Sequence, residues 1–244
     1  MVAHRGASDA YPENTLCAFR AALDAGAQLV ELDVHTTRDG ALVCIHDATC
    51  DRTTDSTTAL GRTEVAVADT DLADVLRLDA GSWKDPRFRR ERIPTLRAAL
   101  ATIHAAGGVA MIEHKAGTPG AMHAEIRELG LVDDVVVQSF DWDWLALLHA
   151  AEPRIAIAAL AEEPFTPGDL PRLARTGASI AHYQDRALGL ADVATLHAAG
   201  YLVAVWTVDA EIALLGAAHA GVDLVTTNRP ERAIALSLGR PTRT

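Results

Sequence analysis

Between Leu29 and Asp47 the sequence LVELDVHTTRDGALVCIHD sets two carboxylates and an imidazole into a stretch that otherwise has the composition of a buried β-hairpin. Leu29–Val34 alternates, so Glu31 and Asp33 share one strand face while Leu32 and Val34 take the other. Two buried acids on one face repel each other and lose their hydration, and a divalent cation is the simplest partner that makes both tolerable. Asp39-Gly40 has the turn chemistry of a hairpin. Folding back through Ala41–Ile45 brings His46 to about the level of Leu32 and Asp33. The competing reading is a solvated ribbon, since charged residues are mostly exposed. Val30, Leu32, Val34, Leu42, Val43 and Ile45 make both arms too apolar for that.

Stepping outward, the chain alternates amphipathic segments with short apolar runs. Pro12-Glu13-Asn14-Thr15 reads as a helix start, followed by Leu16, Phe19, Ala22 and Leu23 on one stripe. Gly26 ends that helix, and Gly107, Gly130, Gly177, Gly200 and Gly221 close later ones in the same way. The apolar runs are Val2–His4, Leu29–Val34, Val109–Glu113, Val135–Gln138, Ile155–Leu160, Ser179–His182, Leu202–Thr207 and Leu224–Thr227. Eight strand-helix units in 244 residues predict an α/β TIM (β/α)8 barrel. A doubly wound sheet is the alternative, but no Gly-rich dinucleotide loop follows any strand. One domain over residues 1–244 is expected, with an insertion after the second strand at 47–92 that holds a predicted helix from Asp69 to Leu78 and reads as a cap or lid.

A barrel gathers its chemistry at the C-terminal ends of its strands. There the sequence places His4 and Arg5, then Glu31 and Asp33, His46 from the hairpin, Glu113 and Lys115, Gln138, Trp206, and Asn228. Glu31, Asp33 and Glu113 form a hard oxygen set for Ca²⁺ or Mg²⁺. His4 and His46 remain for acid and base work, and Arg5 and Lys115 would hold an anionic group such as a phosphate. Trp206 is expected to face the pocket. His104, His123, His149, His197 and His219 fall on helical segments, His114 should lie behind the barrel wall, and His182 ends a strand at a position that can reach the pocket rim.

Net charge of −11 argues against a nucleic-acid partner or an anionic membrane surface. The three cysteines are an odd number without metal-type spacing, and neither a signal peptide before Met1-Val2-Ala3 nor a membrane-length apolar run is evident. The expectation is a soluble cytoplasmic protein without stable membrane insertion, its oligomeric state left open.

Taken together, these residues resemble the glycerophosphodiester phosphodiesterases from end to end. The likeness is carried by His4-Arg5-Gly6, Pro12-Glu13-Asn14-Thr15, Glu31-Leu32-Asp33-Val34, Ile45-His46-Asp47, Asp79-Ala80-Gly81-Ser82-Trp83, Gln138-Ser139-Phe140, Trp206-Thr207-Val208 and Thr227-Asn228-Arg229-Pro230. The resemblance implies a TIM barrel with a small insertion, a divalent metal on Glu31, Asp33 and Glu113, His4 and His46 as the acid/base pair, and Arg5 and Lys115 on the phosphate. It implies hydrolysis of a small glycerophosphodiester to glycerol 3-phosphate and an alcohol. A lysophospholipase D or sphingomyelinase D-like activity on lipids is the alternative, which would need an apolar mouth.

Overall fold

The computed structural model describes residues 1–238. Its strands are β1 (Val2–Ala3), β2 (Leu29–Thr36), β3 (Leu42–Cys44), β4 (Val109–His114), β5 (Val135–Ser139), β6 (Ala156–Ala161), β7 (Ile180–Gln184), β8 (Leu202–Trp206) and β9 (Leu224–Thr227). Its helices are α1 (Leu16–Asp24), α2 (Ser56–Leu60), α3 (Leu72–Val75), α4 (Leu96–Ala105), α5 (Pro119–Glu128), α6 (Trp142–Ala151), α7 (Leu170–Thr176), α8 (Leu190–Ala198), α9 (Glu211–Ala220) and α10 (Pro230–Leu238). Strands β1, β2, β4, β5, β6, β7, β8 and β9 follow one another around a closed ring, and every neighbouring pair is parallel. This is the (β/α)8 barrel that the alternation of runs and glycine stops predicts.

The period of two along each strand decides what fills the ring. Val2, Met111, Val136, Ala158, Ile180 and Ala204 form an apolar plug inside it, with Leu29, Val109, Ala156 and Leu224 packed around them. The next inward positions toward the C-terminal ends are polar or large: Glu31 and Asp33 on β2, Glu113 on β4, Gln138 on β5, His182 on β7, Trp206 on β8 and Thr226 on β9. A dry floor therefore supports a polar layer. The outward faces, with Val30, Leu32, Ile112, Val137, Ile157 and Val203, pack against the helix stripes of Phe19, Leu100, Ile126 and Leu145.

Strand β3 runs antiparallel to the far half of β2, with Val34 opposite Cys44 and Thr36 opposite Leu42. That pairing extends β2 to Thr36, two residues beyond the expected end, because β3 satisfies backbone groups that β1 is too short to reach. The insertion packs its own small core, Cys50, Val65, Val67, Val75 and Leu78, against Val43 and Ile45 of the hairpin and Ile93. The single helix expected from Asp69 to Leu78 is a correction: a 3-10 turn at Val67–Asp69 precedes the four-residue α3. Thr70 and Asp71 are extended between them, the Thr70 hydroxyl donates to the Ala66 carbonyl, and Asp71 is held by Arg38.

The first helix begins later than the motif suggests. Thr15 caps α1, so Pro12, Glu13 and Asn14 precede it and are free for other partners. Gly6 lies where α1 crosses the first loop; a Cβ there would sit 2.6 Å from the Ala18 carbonyl carbon, at a φ of +82°. Only glycine lets that loop lie flat on α1, which brings Arg5 over the barrel mouth.

Candidate active site

Glu31, Asp33 and Glu113 are buried, and one oxygen of each lies within 4.8 Å of the others. Register makes this contact, since Asp33 pairs directly with Glu113 across β2 and β4. Glu31 and Asp33 are each satisfied at one oxygen. The Arg5 backbone N–H donates to Glu31 Oε2 at 2.8 Å, from a left-handed backbone with φ of 56°. Asn14 Nδ2 donates to Asp33 Oδ2 at 2.8 Å, and Asn14 Oδ1 accepts the Asp33 N–H at 3.1 Å. Of the remaining oxygens, Glu31 Oε1 has no donor among the described residues, while Asp33 Oδ1 and Glu113 Oε1 face only the Lys115 ammonium. Lys115 Nζ ion-pairs with Glu113 and Asp33, and Arg5 Nε lies 3.2 Å from Asp33 Oδ2.

Charge in this cluster is unevenly tolerated. Burial, then the charge of Asp33, raises Glu31 well above the usual carboxylate range and Glu113 to about 7. Burial also pulls Asp33 upward, but Arg5 and Lys115 outweigh it and hold Asp33 down. Three facing carboxylate oxygens, Glu31 Oε1 without a donor and Asp33 Oδ1 and Glu113 Oε1 held only by the Lys115 ammonium, are hard ligands that fit a divalent cation. The buried acidic triad can hold one.

The two histidines beside this cluster are oriented differently. His4 Nδ1 lies 2.7 Å from Asn228 Oδ1, and Asn228 Nδ2 in turn donates to Asp209 Oδ2 at 2.7 Å. With the amide N–H committed to Asp209, Oδ1 must accept, so Nδ1 of His4 carries the proton and Nε2 is left as a base. Burial first, then the charge of Arg5, lowers the His4 pKa to about 4. His46 Nδ1 instead meets Asp47 Oδ1 at 2.7 Å. Arg52, from the insertion, grips Asp47 through Nε at 2.6 Å and Glu13 through Nη2 at 2.7 Å, while Glu13 accepts from Arg5 Nη1 at 2.9 Å. Hydrogen bonds from Arg52, against a smaller effect of burial, hold Asp47 down to about 2, so it stands as a fixed negative charge behind His46.

His4, Arg5, Glu31, His46, Glu113 and Lys115 line one cavity of about 310 Å³ together with Gln138, Phe140, Leu160, Glu162, His182 and Trp206. The match to the description of the glycerophosphoryl diester phosphodiesterase family runs over residues 4–232, from His4 through the last strand. The chain belongs to that family. It is 31% identical to a glycerophosphodiester phosphodiesterase of Bacillus altitudinis over 243 residues, 96% of each chain. Among solved structures it superposes with a TM-score of 0.89 and 28% identity on a phosphodiesterase of Oleispira antarctica in complex with the product sn-glycerol-3-phosphate, covering 98% of this chain and 96% of that one. A glycerophosphodiester phosphodiesterase of Agrobacterium tumefaciens gives 0.81 and 30%, covering 96% and 98%. The chain is thus a phosphoric diester hydrolase.

In this phosphodiesterase every sequence-predicted site residue, His4, Arg5, Glu31, Asp33, His46, Glu113, Lys115 and Trp206, stands in or against the one cavity. Trp206 meets Phe140 edge to face at 5.6 Å, and its Nε1 has no partner. His114 lies behind the wall as expected, stacked on Trp144 at 3.9 Å. Sequence reasoning passed over Glu13 and Asn14, taken as parts of a helix start, and over Asp47, Arg52 and the Asn228–Asp209 pair. A signal existed for Asn14: asparagine tolerates the left-handed backbone it adopts here, with φ of 55°. None existed for Arg52, whose partners are 5 and 39 residues away.

His182 is buried at the floor of the cavity rather than at its rim. Its Nδ1 donates to Gln138 Oε1 at 2.8 Å and its Nε2 accepts from the Thr226 hydroxyl at 3.1 Å, so the phosphodiesterase holds it neutral. Burial, with the charge of His4 adding, lowers its pKa to about 3. The folded state then refuses a proton that the unfolded chain binds below its ordinary pKa near 6.5. Stability from this group is full above that value and is lost as the pH falls toward 3. At pH 5 the loss is about 2 kcal/mol. Melting curves of His182→Gln should fall less between pH 7 and 5 than those of the parent; parallel curves would remove His182 from the acid response.

Proposed function

We propose that this enzyme hydrolyses glycerophosphodiesters to glycerol 3-phosphate and an alcohol, with His4 as general base, His46 as general acid and a divalent cation, Ca²⁺ or Mg²⁺, on Glu31, Asp33 and Glu113. The observation that carries it is the set of three buried carboxylates with one oxygen of each gathered together, flanked by one histidine with a free Nε2 and one backed by a carboxylate. Bound there, such a cation supplies positive charge and Lewis acidity to a phosphate oxygen. With the acids engaged by it, the Arg5 guanidinium and Lys115 ammonium are left to bind the phosphate. Residues 1–244 act as one barrel domain in this reading, and 47–92 is a cap whose Arg52 reaches down to the site. Glycerol 3-phosphate in the Oleispira antarctica structure supports the substrate class.

Among the described residues none offers a nucleophile in the right place. The hydroxyls lining the cavity are Thr207 and Thr226, and among the described residues neither is hydrogen-bonded to His4 or His46. Burial raises the thiols of Cys17 and Cys50 to about 11 and that of Cys44 well above its ordinary value. We therefore assign the attack to the substrate's glycerol 2-hydroxyl. His4 takes its proton, the oxygen closes on phosphorus, and His46 protonates the departing alcohol oxygen. Water then opens the cyclic 1,2-phosphate with the two roles exchanged. Lipid substrates suit the site less, because Glu162 stands in the cavity wall where an acyl chain would need apolar surface.

Three free cysteines agree with a reducing cytoplasm, and among the described residues no helix is long and apolar enough to cross a membrane. The test is release of glycerol 3-phosphate from glycerophosphodiesters and from a lysophospholipid, with and without EDTA. A preference for the lysophospholipid, or full turnover in excess chelator, would refute the assignment. Metal binding has a second readout. Millimolar Ca²⁺ or Mg²⁺ at about a hundred times its Kd should add about 2.7 kcal/mol, raising Tm by roughly 5–10 °C. Glu113→Gln should lose most of that response.

A further inference from the structure

Resting on the phosphodiesterase reading above, one feature of the barrel rim speaks to the alcohol side of the substrate. A second cavity, of about 300 Å³, adjoins the catalytic one, and Phe140, Leu160 and Glu162 line both. Glu162 continues the inward register of Ala156, Ala158 and Leu160 one step past the end of β6. In the eight-strand ring β6 lies four strands from β1, directly across from His4. Because Phe140, Leu160 and Glu162 border both cavities, the second one opens to the alcohol of a diester bound in the first.

The second cavity has the chemistry of a cation site. Glu162 and Glu163 line it, and among the described residues neither has an ion-pair partner; Asp169 adds a third carboxylate. Arg172 also lines it, but its guanidinium is stacked 4.8 Å from the Trp142 ring centroid, and the carboxylates outnumber it. Phe140, 45% exposed, presents an aromatic wall at the junction of the two cavities. Tyr183, 1% exposed, borders the cavity, and among the described residues its hydroxyl has no hydrogen-bond partner. Burial, then the charge of Asp169, raises that phenol far above its ordinary pKa, so it stays neutral and has its lone pairs to offer. A buried polar group left unmatched in the free protein is a place where a ligand group is missing.

We propose that this cavity is the subsite for the leaving alcohol and that it selects glycerophosphodiesters of positively charged amino alcohols over those of neutral or anionic alcohols. An ammonium against aromatic faces and carboxylates is held by cation–π attraction and ion pairing together. Tyr183 Oη distinguishes the two sources of that charge. It accepts a hydrogen bond from a primary ammonium, whereas a quaternary ammonium has no N–H to give.

The experiment compares kcat/KM for glycerophosphocholine, glycerophosphoethanolamine and glycerophosphoglycerol in the wild type, Glu162→Gln and Tyr183→Phe. The wild type should favour the two cationic diesters over glycerophosphoglycerol by about tenfold. Glu162→Gln should bring that ratio close to one, and raised salt should lower it in the parent. Tyr183→Phe removes an oxygen that bonds nothing in the free protein, so it should fold and melt like the parent and lose selectivity for ethanolamine more than for choline. Hydrolysis of all three at equal kcat/KM, or a cationic preference untouched by Glu162→Gln, would overturn the subsite while leaving the phosphodiesterase reading intact. Hydrolysis of none would overturn both.

Discussion

His4→Ala and His46→Ala are each expected to lower kcat by about two to four orders of magnitude while the barrel persists, the usual cost of removing a general base or acid. Persistence follows from what each ring does. His4 bonds only Asn228 and His46 only Asp47, and neither belongs to the apolar plug or the outer core. The cation's carboxylates are untouched, so the Tm rise with metal should survive in both variants. The two should part on leaving-group chemistry. A diester with an acidic phenol as its alcohol needs no proton on departure, so it should recover much of the lost rate in His46→Ala and little in His4→Ala. Rescue of His4→Ala alone would reverse the roles, and kcat near that of the parent in either variant would make that histidine structural.

The parts of this site that a reader of the sequence finds are those fixed by periodicity. Glu31 and Asp33 announce themselves because a strand's period of two puts both on the side where Leu29 joins the plug. Glu113 follows once β2 and β4 are neighbours, and His46 follows from a turn at Asp39-Gly40 that sets the hairpin register observed. The barrel itself is legible because each glycine stop marks a junction. What stays hidden is long-range pairing between loops. Arg52 joins Asp47 to Glu13, and Asp209 turns Asn228 so that it fixes the His4 tautomer. No spacing rule links these positions, since side chains on separate loops meet only after the ring has closed. Glu162 escapes for a different reason: it continues an inward register after β6 has ended, where alternation is no longer expected. The Asp69–Leu78 helix fails because local partners, Ala66 for Thr70 and Arg38 for Asp71, hold the backbone extended where the apolar pattern favours a helix.

The route of attack on phosphorus yields to one atom of the substrate. A glycerophosphodiester with its glycerol 2-hydroxyl replaced by hydrogen is expected to be nearly inert, because the cavity offers no protein nucleophile to take that oxygen's place. Direct attack by water would use the same carboxylates and histidines, so variants of those residues cannot separate the two routes. On the water route the 2-hydroxyl is a binding group alone, and its loss costs about one hydrogen bond, roughly tenfold or about 1.4 kcal/mol in barrier. On the cyclic route it is the attacking atom, and its loss removes the reaction. Turnover of the 2-deoxy substrate within about tenfold of the parent would therefore refute the cyclic route. The synthetic cyclic 1,2-phosphate supplies the positive control. It should be opened to glycerol phosphate by the wild type, and His4→Ala and His46→Ala should both be slow on it, since the second step needs each imidazole in the opposite role.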